Sequence, residues 1–349
     1  MKLTPSLAHF VWLCTPLQGA TPADWQSQIR GVSRKGQIPQ ETCLNTNPSS
    51  SAPSILEAPR CIWPAAATLG EGTLWSQREQ ALYWVDILER RLHRIDPASD
   101  MRTSWSFDEE ISAVAERAGD PGLIVTLRRG FALFDPAAAE VPPRYLLEPE
   151  PERTANRFND GKCDAKGRFW GGTMDFACKA PTGALYRFDP DGRCSRHDDG
   201  FAVTNGPTWS ADGRTMYFND TVRGRVFAYD FDMATGTPSG KREWLRFAHG
   251  DGLPDGMTTD AAGRLWIAHW GGACVSCHDP VSAAELCRVK LPTRHITNCA
   301  FGGPDLRTLF ISSATSDLTP AQREAEPEAG GLFAVRTDAT GLPAPRFGG

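Results

Sequence analysis

The chain has 349 residues, 40% hydrophobic and 23% charged, with 33 Gly, 27 Pro and a net charge of −5. That length holds one large domain or two ordinary ones, and the composition is that of a soluble globular protein rich in short strands and turns. Nucleic acid is excluded as a partner because no long run of Lys and Arg is present to meet phosphates. A membrane span is excluded because no window approaches the roughly 18 apolar residues it needs.

Residues 1–60 stand apart. They are rich in Ser, Thr, Pro and Gln and lack strand alternation, and Asn45 to Ser54 is nearly all small and polar. This reads as an N-terminal extension, disordered or loosely attached. Leu7 to Leu17 makes a poor signal-peptide core, since His9, Thr15 and Pro16 interrupt it and no cleavage site is clear. The expected location is cytoplasmic, and the default state a monomer.

From Cys61 onward, residues 61–349 repeat. Aromatic or branched strand centres fall at Trp84, Val125, Trp170, Phe218, Trp266 and Phe310, spaced 41, 45, 48, 48 and 44 residues apart. A turn precedes several of them: Asp164-Ala165-Lys166-Gly167-Arg168, Ala211-Asp212-Gly213-Arg214 and Asp260-Ala261-Ala262-Gly263-Arg264. A second strand follows and closes on Asp, as in Leu92 to Asp96, Ala132 to Asp135 and Ala184 to Asp189. Repeats of about 40–50 residues with four short strands are β-propeller blades. The predicted fold is an all-β, six-bladed propeller of four-stranded blades. Trp84, Trp170 and Trp266 are expected to pack blade on blade. A strand within Cys61 to Leu69 is expected to complete the last blade and cover its edge.

The innermost strand of each blade lines the channel, so one offset repeated in every blade meets at one mouth. Glu71 and Asn205 lie 13 residues before Trp84 and Phe218, Asn159 and Asp255 lie 11 before Trp170 and Trp266, and Asn298 lies 12 before Phe310. Singly, Asn-Gly and Asp-Gly are ordinary turn dipeptides. Together they place two carboxylates and several amide oxygens in one ring. Hard oxygen donors suit Ca²⁺, Mg²⁺ or Mn²⁺ better than a thiolate metal. A divalent ion there can polarise a carbonyl and lower the pKa of bound water, and Asp255 is placed to be both ligand and general base. Arg157, two residues from Asn159, lies on the same side of an extended segment, and its donor fork suits sugar hydroxyls or a carbonyl.

Ten cysteines are scattered along the chain and are expected to remain thiols. Cys274-Val275-Ser276-Cys277-His278 contains a lone CxxC, a weak zinc signal without a second pair; the plainer reading is two thiols on a strand. Phe176 to Gly183 and Ser316 to Gly330 are the longest insertions near the predicted mouth and are expected to shape it.

Leu69-Gly70-Glu71-Gly72-Thr73-Leu74-Trp75, Asn156-Arg157-Phe158-Asn159-Asp160-Gly161-Lys162, Gly172-Thr173-Met174, Asn205-Gly206, Pro254-Asp255-Gly256-Met257 and Cys299-Ala300-Phe301-Gly302-Gly303 resemble the gluconolactonase/regucalcin (senescence marker protein) family. The resemblance covers residues 61–347 in order. Ala268-His269-Trp270-Gly271-Gly272 is nearest to bacterial sugar-acid lactonases such as xylonolactonase. The resemblance implies a six-bladed propeller and metal-dependent hydrolysis of a sugar-acid lactone to the open acid. It implies Glu71, Asn205 and Asp255 as ligands of one divalent ion (Ca, Mg, Mn, Zn or Fe), Asp255 also as base, and Arg157 and Asn159 as substrate contacts. Two departures stand out. Thr73 replaces the usual Pro, and Ala177 stands where animal members place a substrate-binding Glu, with Asp175 the only acid nearby. A phosphotriesterase on the same scaffold and a non-catalytic metal-binding propeller are the alternatives.

Overall fold

The computed structural model describes residues 51–349. The segment 1–50, most of the expected extension, lies outside the described residues. Six four-stranded antiparallel sheets are present, each running outward from an inner strand. The inner strands are Gly70–Ser76, Ile111–Glu116, Asn156–Cys163, Thr204–Trp209, Leu253–Thr259 and Ile296–Gly302. Each packs against the next and the sixth packs against the first, so the ring is closed. The blades number one to six in that order. The end where inner strands begin is the front, and the end where they finish is the rear.

The last blade is completed as expected. Arg60–Trp63 pairs antiparallel with Leu332–Arg336 as its outermost strand, so a strand ahead of the first blade closes the sheet of the last. The residues ahead of that strand are also tied down. Ile55 bridges Thr337, Ser54 N donates to Asp338 Oδ1 at 2.8 Å, and Arg264 Nη1 donates to the Ser51 carbonyl at 2.9 Å.

The core lies between blades. Trp84, Trp170 and Trp266 have no solvent exposure. Trp266 meets Phe301 of the next blade edge-on at 5.4 Å, and Trp170 meets Trp209 at 6.2 Å. A buried indole removes about 150–250 Å² from water, on the order of 5 kcal/mol at ~25 cal/mol per Å². These tryptophans pack blades rather than stacking a ligand.

The repeated turn is a rear clamp. Asp164 Oδ2 accepts from Arg168 Nε at 2.6 Å and Trp170 Nε1 at 2.9 Å, while Oδ1 accepts from the Lys166 and Arg168 amides at 2.8 and 3.2 Å. Asp260 repeats this with Arg264 Nε at 2.7 Å, Trp266 Nε1 at 3.0 Å and the Ala262 and Arg264 amides, both at 3.0 Å. One carboxylate thus fixes a turn, an ion pair and the core indole.

The chain end crosses the rear. Ala261 N donates to Thr340 O at 2.8 Å, Phe347 N to Glu116 O at 2.8 Å, and Gly348 N to Gly167 O at 3.0 Å. Under this strap the channel holds a cavity of about 360 Å³, bounded by Lys162, Thr208, Thr258, Ala300 and Pro343. Among the described residues no helix is long and apolar enough to cross a membrane.

Candidate metal centre

All six inner strands break register near their front ends. The irregularities fall between Glu71 and Leu74, Ile111 and Ala113, Phe158 and Asp160, Asn205 and Thr208, Pro254 and Met257, and Ile296 and Asn298. A bulge adds a residue, bends the strand and re-aims a side chain. Gly72 and Gly206 take φ of 58° and 86° at two of them, where a Cβ would be strained. The bulges turn a shared sequence offset into a shared place in space.

The predicted residues meet at the front. Glu71 Oε2 accepts from its neighbour Gly72 N at 3.0 Å and from Asn298 Nδ2 at 2.9 Å. Thr73 Oγ donates to Asn298 Oδ1 at 2.8 Å, which sets that amide's orientation. The Asp255 carboxyl lies near enough to Glu71 for each to act on the other's titration, and Asn219 Nδ2 holds the Asp255 carbonyl at 2.6 Å. Arg157 Nη1 donates to Asn159 Oδ1 at 2.7 Å, and Asn159 Nδ2 donates onward to Thr204 O at 2.7 Å and Asn205 Oδ1 at 3.2 Å. Asn205 Nδ2 donates to Thr221 Oγ at 3.0 Å. The two halves run from blade 3 to blade 4 and from blade 5 through blade 1 to blade 6.

Charge is unbalanced here. Glu71, Asp160 and Asp255 are 2%, 2% and 5% exposed. Burial, then the charges of Asp255 and Asp160, hold Glu71 well above the usual carboxylate range. Burial, then Asp160, does the same to Asp255, although the Glu71 hydrogen bond, the Gly256 amide and Arg157 oppose it. Burial also raises Asp160, against Lys162 and the amides of Gly206 and Gly161 at 2.8 and 2.7 Å. Lys162 Nζ itself is bonded to Met257 O at 2.7 Å. Uncompensated buried carboxylates are costly unless a cation meets them. Two carboxylates with an amide oxygen are a donor set for a hard divalent ion. The residues therefore fit the metal that the sequence implies. Glu71, Asn205 and Asp255 would hold it, with Asp160 adding charge behind them. The fit does not depend on a His/Cys cluster: among the described residues no three His, Cys, Asp or Glu side chains form a metal-binding group.

Around the mouth, Phe176 from the first insertion lies under two guanidiniums, Arg128 at 4.9 Å and Arg157 at 5.8 Å. Arg128 Nη1 also faces Glu110 at 3.6 Å. Asp175 is not a free stand-in for an acid at Ala177. Its Oδ2 accepts from the Lys179 and Ala180 amides, both at 2.9 Å, and shapes the 176–180 turn. The second insertion holds the short helix Pro320–Ala325, and its Asp317 is pushed up to about 6 by burial. His269 donates from Nδ1 to Asp251 O at 2.7 Å, tying down the loop that leads to Asp255, and burial lowers it to about 4.

Sequence reasoning missed roles for Asp160, Asn219 and Arg128, whereas Phe176 lies in an insertion expected to shape the mouth. Asp160 carried a signal, being a polar residue beside Asn159 before a buried strand. Asn219 carried a fainter one, as an amide directly after the blade-4 strand centre Phe218. The CxxC strand Cys274–His278 is buried and forms no metal site among the described residues.

Comparison with known proteins agrees with this fold. Residues 69–315 match the SMP-30/Gluconolactonase/LRE-like region. The chain is 38% identical over 295 residues to the 6-deoxy-6-sulfogluconolactonase of Pseudomonas putida, covering 84% of this chain and 99% of that one. It is 32% identical over 280 residues to regucalcin of Xenopus laevis, covering 79% and 93%. A solved structure of the calcium-binding protein regucalcin from Agrobacterium tumefaciens superposes with a TM-score of 0.79 at 29% identity, covering 83% of this chain and 97% of that one. The closed ring of six blades and these matches agree: the chain belongs to the SMP-30/gluconolactonase/LRE-like family.

Proposed function

We propose that the chain hydrolyses a sugar-acid lactone to the open-chain acid with the help of one divalent cation. The observation that carries this reading is the buried Glu71–Asp255 pair, which faces Asp160 in a channel mouth beside Arg157. A lactonase among the relatives supports the substrate class.

Glu71, Asn205 and Asp255 would hold the divalent cation, which would supply the charge that keeps both carboxylates ionised, polarise a carbonyl and acidify water. Arg157 and Asn159 orient the ring through its carbonyl and hydroxyl oxygens. Asp255 takes a proton from water as the water oxygen bonds to the carbonyl carbon. The ring C–O bond then breaks, and the leaving oxygen takes up that proton. Asn298, locked by Thr73, and Asn219, on the Asp255 carbonyl, keep the two carboxylates in place.

The test is initial-rate hydrolysis of aldonolactones by metal-stripped protein, then after adding Ca²⁺, Mg²⁺, Mn²⁺, Zn²⁺ or Fe²⁺, with a fluorophosphate triester as comparison. Cation-restored lactone opening that outpaces the triester is expected. Cation binding without lactone turnover, or faster triester hydrolysis, overturns the reading.

A further inference from the structure

The strand Cys274–His278 holds chemistry that the front site does not use. Residues three apart on a strand face opposite ways, so Cys274 and Cys277 are not partners. The register instead pairs Cys274 with Lys290, and Cys277 directly with Cys287 on the outer strand Glu285–Lys290 of blade 5. Directly opposed residues of an antiparallel pair have Cα atoms about 4.5–5.5 Å apart, inside the roughly 4.4–6.8 Å span of disulfides. Both are free thiols, and hydrogen bonding between them is the first influence on the titration of each.

Their surroundings differ. Cys277 is fully buried in the core shared with Trp266, Phe301 and Phe333, whereas Cys287 is partly exposed at the edge of that core. The Cys277 hydrogen bond, then the Arg264 charge, favours the Cys287 thiolate. That hydrogen bond and burial disfavour the Cys277 thiolate. A reachable, thiolate-prone sulfur beside a sheltered one is the arrangement of an attacking and a resolving cysteine.

We propose that Cys277 and Cys287 form a peroxide-sensitive dithiol that closes to a cross-strand disulfide. The Cys287 thiolate attacks one oxygen of a hydroperoxide. The O–O bond breaks, the sulfur becomes a sulfenic acid, and the other oxygen leaves as water or an alcohol after taking a proton. The Cys277 sulfur then attacks the sulfenic sulfur as its proton leaves, the S–S bond forms, and the sulfenic oxygen departs as water. Two thiols are oxidised and one hydroperoxide is reduced. The bond joins the third and fourth strands of the blade whose inner strand carries Asp255, and it does not depend on the lactonase reading.

The test treats the full-length native protein with stoichiometric hydrogen peroxide, alkylates the remaining thiols and maps peptides by mass. A Cys277–Cys287 crosslink with a loss of about 2 Da is expected. Cys277→Ser should leave a sulfenic acid at Cys287 that dimedone traps. Cys287→Ser should leave Cys277 a free thiol at the same dose. The wild-type map decides the matter even if Cys277→Ser fails to fold. A crosslink through Cys274, or both thiols recovered alkylated after half-exposed Cys178 has oxidised, overturns the proposal.

Discussion

The two ends of the inner strands use the same residue types for opposite purposes. At the rear, Asp164 and Asp260 each accept from an arginine, an indole and two backbone amides. At the front, Glu71 and Asp255 face each other and Asp160, and of the nearby cations Arg157 gives its Nη1 to Asn159 and Lys162 its Nζ to a carbonyl. A saturated carboxylate stabilises a fold. A carboxylate held among other carboxylates destabilises it until a ligand arrives. The rear is where the propeller is held together, and the front is where it is left unfinished.

The strongest way to break this contrast is Asp255→Ala. Lactone turnover should fall about 10²–10⁴-fold while the folded propeller persists, as read by initial rates and far-UV circular dichroism. A drop in stability with turnover per folded molecule unchanged would make Asp255 a structural residue like its rear counterparts. The converse is Asp164→Ala. It leaves Arg168, 7% exposed, without its carboxylate and should cost about 3–5 kcal/mol in urea unfolding. Turnover per folded molecule should stay within a few-fold.

A subtler change sharpens the front. A Cβ on Gly256 would lie 2.3 Å from Asn298 Nδ2, the group that holds Glu71. Gly256→Ala should therefore weaken cation affinity by about 1–3 kcal/mol, measurable by calorimetry. No loss of affinity would free Asn298 from the assigned role.

The last contrast is with pH. Glu71 and Asp255 are raised above their unfolded range. For a raised acid, stability is fully present below the unfolded pKa and is lost as pH rises through the folded pKa, since the unfolded chain then binds fewer protons. The cation-free protein should lose stability as pH climbs above the ordinary carboxylate range. Cation affinity should rise over the same window, by about tenfold per pH unit for each proton displaced. A melting temperature of cation-free protein that climbs through that window would contradict the assigned charges.

How much of this was legible in the sequence depends on how local the physics is. The rear clamp lies within seven residues, Asp164 to Trp170 and Asp260 to Trp266, so its repetition announced the blades. The front ring was legible because five of the six blades offer one polar residue at nearly one offset. Contacts that bind distant segments without a period were not legible. Asn219 reaches the carbonyl of Asp255, 36 residues away. The strap through Pro343 and Pro345 has no strand alternation, yet it spans the rear. The pairing of Cys277 with Cys287 needs strand register, which the CxxC spacing disguises.

The most direct test of the central contrast is cation stoichiometry. Equilibrium dialysis with Ca²⁺ or Mn²⁺ would compare the wild type, Asp255→Asn and Asp164→Asn at one pH above the titration of the front pair. Tight binding of a single ion by the wild type is expected, retained in Asp164→Asn and lost in Asp255→Asn. Tight binding that survives Asp255→Asn, or is lost with Asp164→Asn while the fold persists, would contradict the contrast.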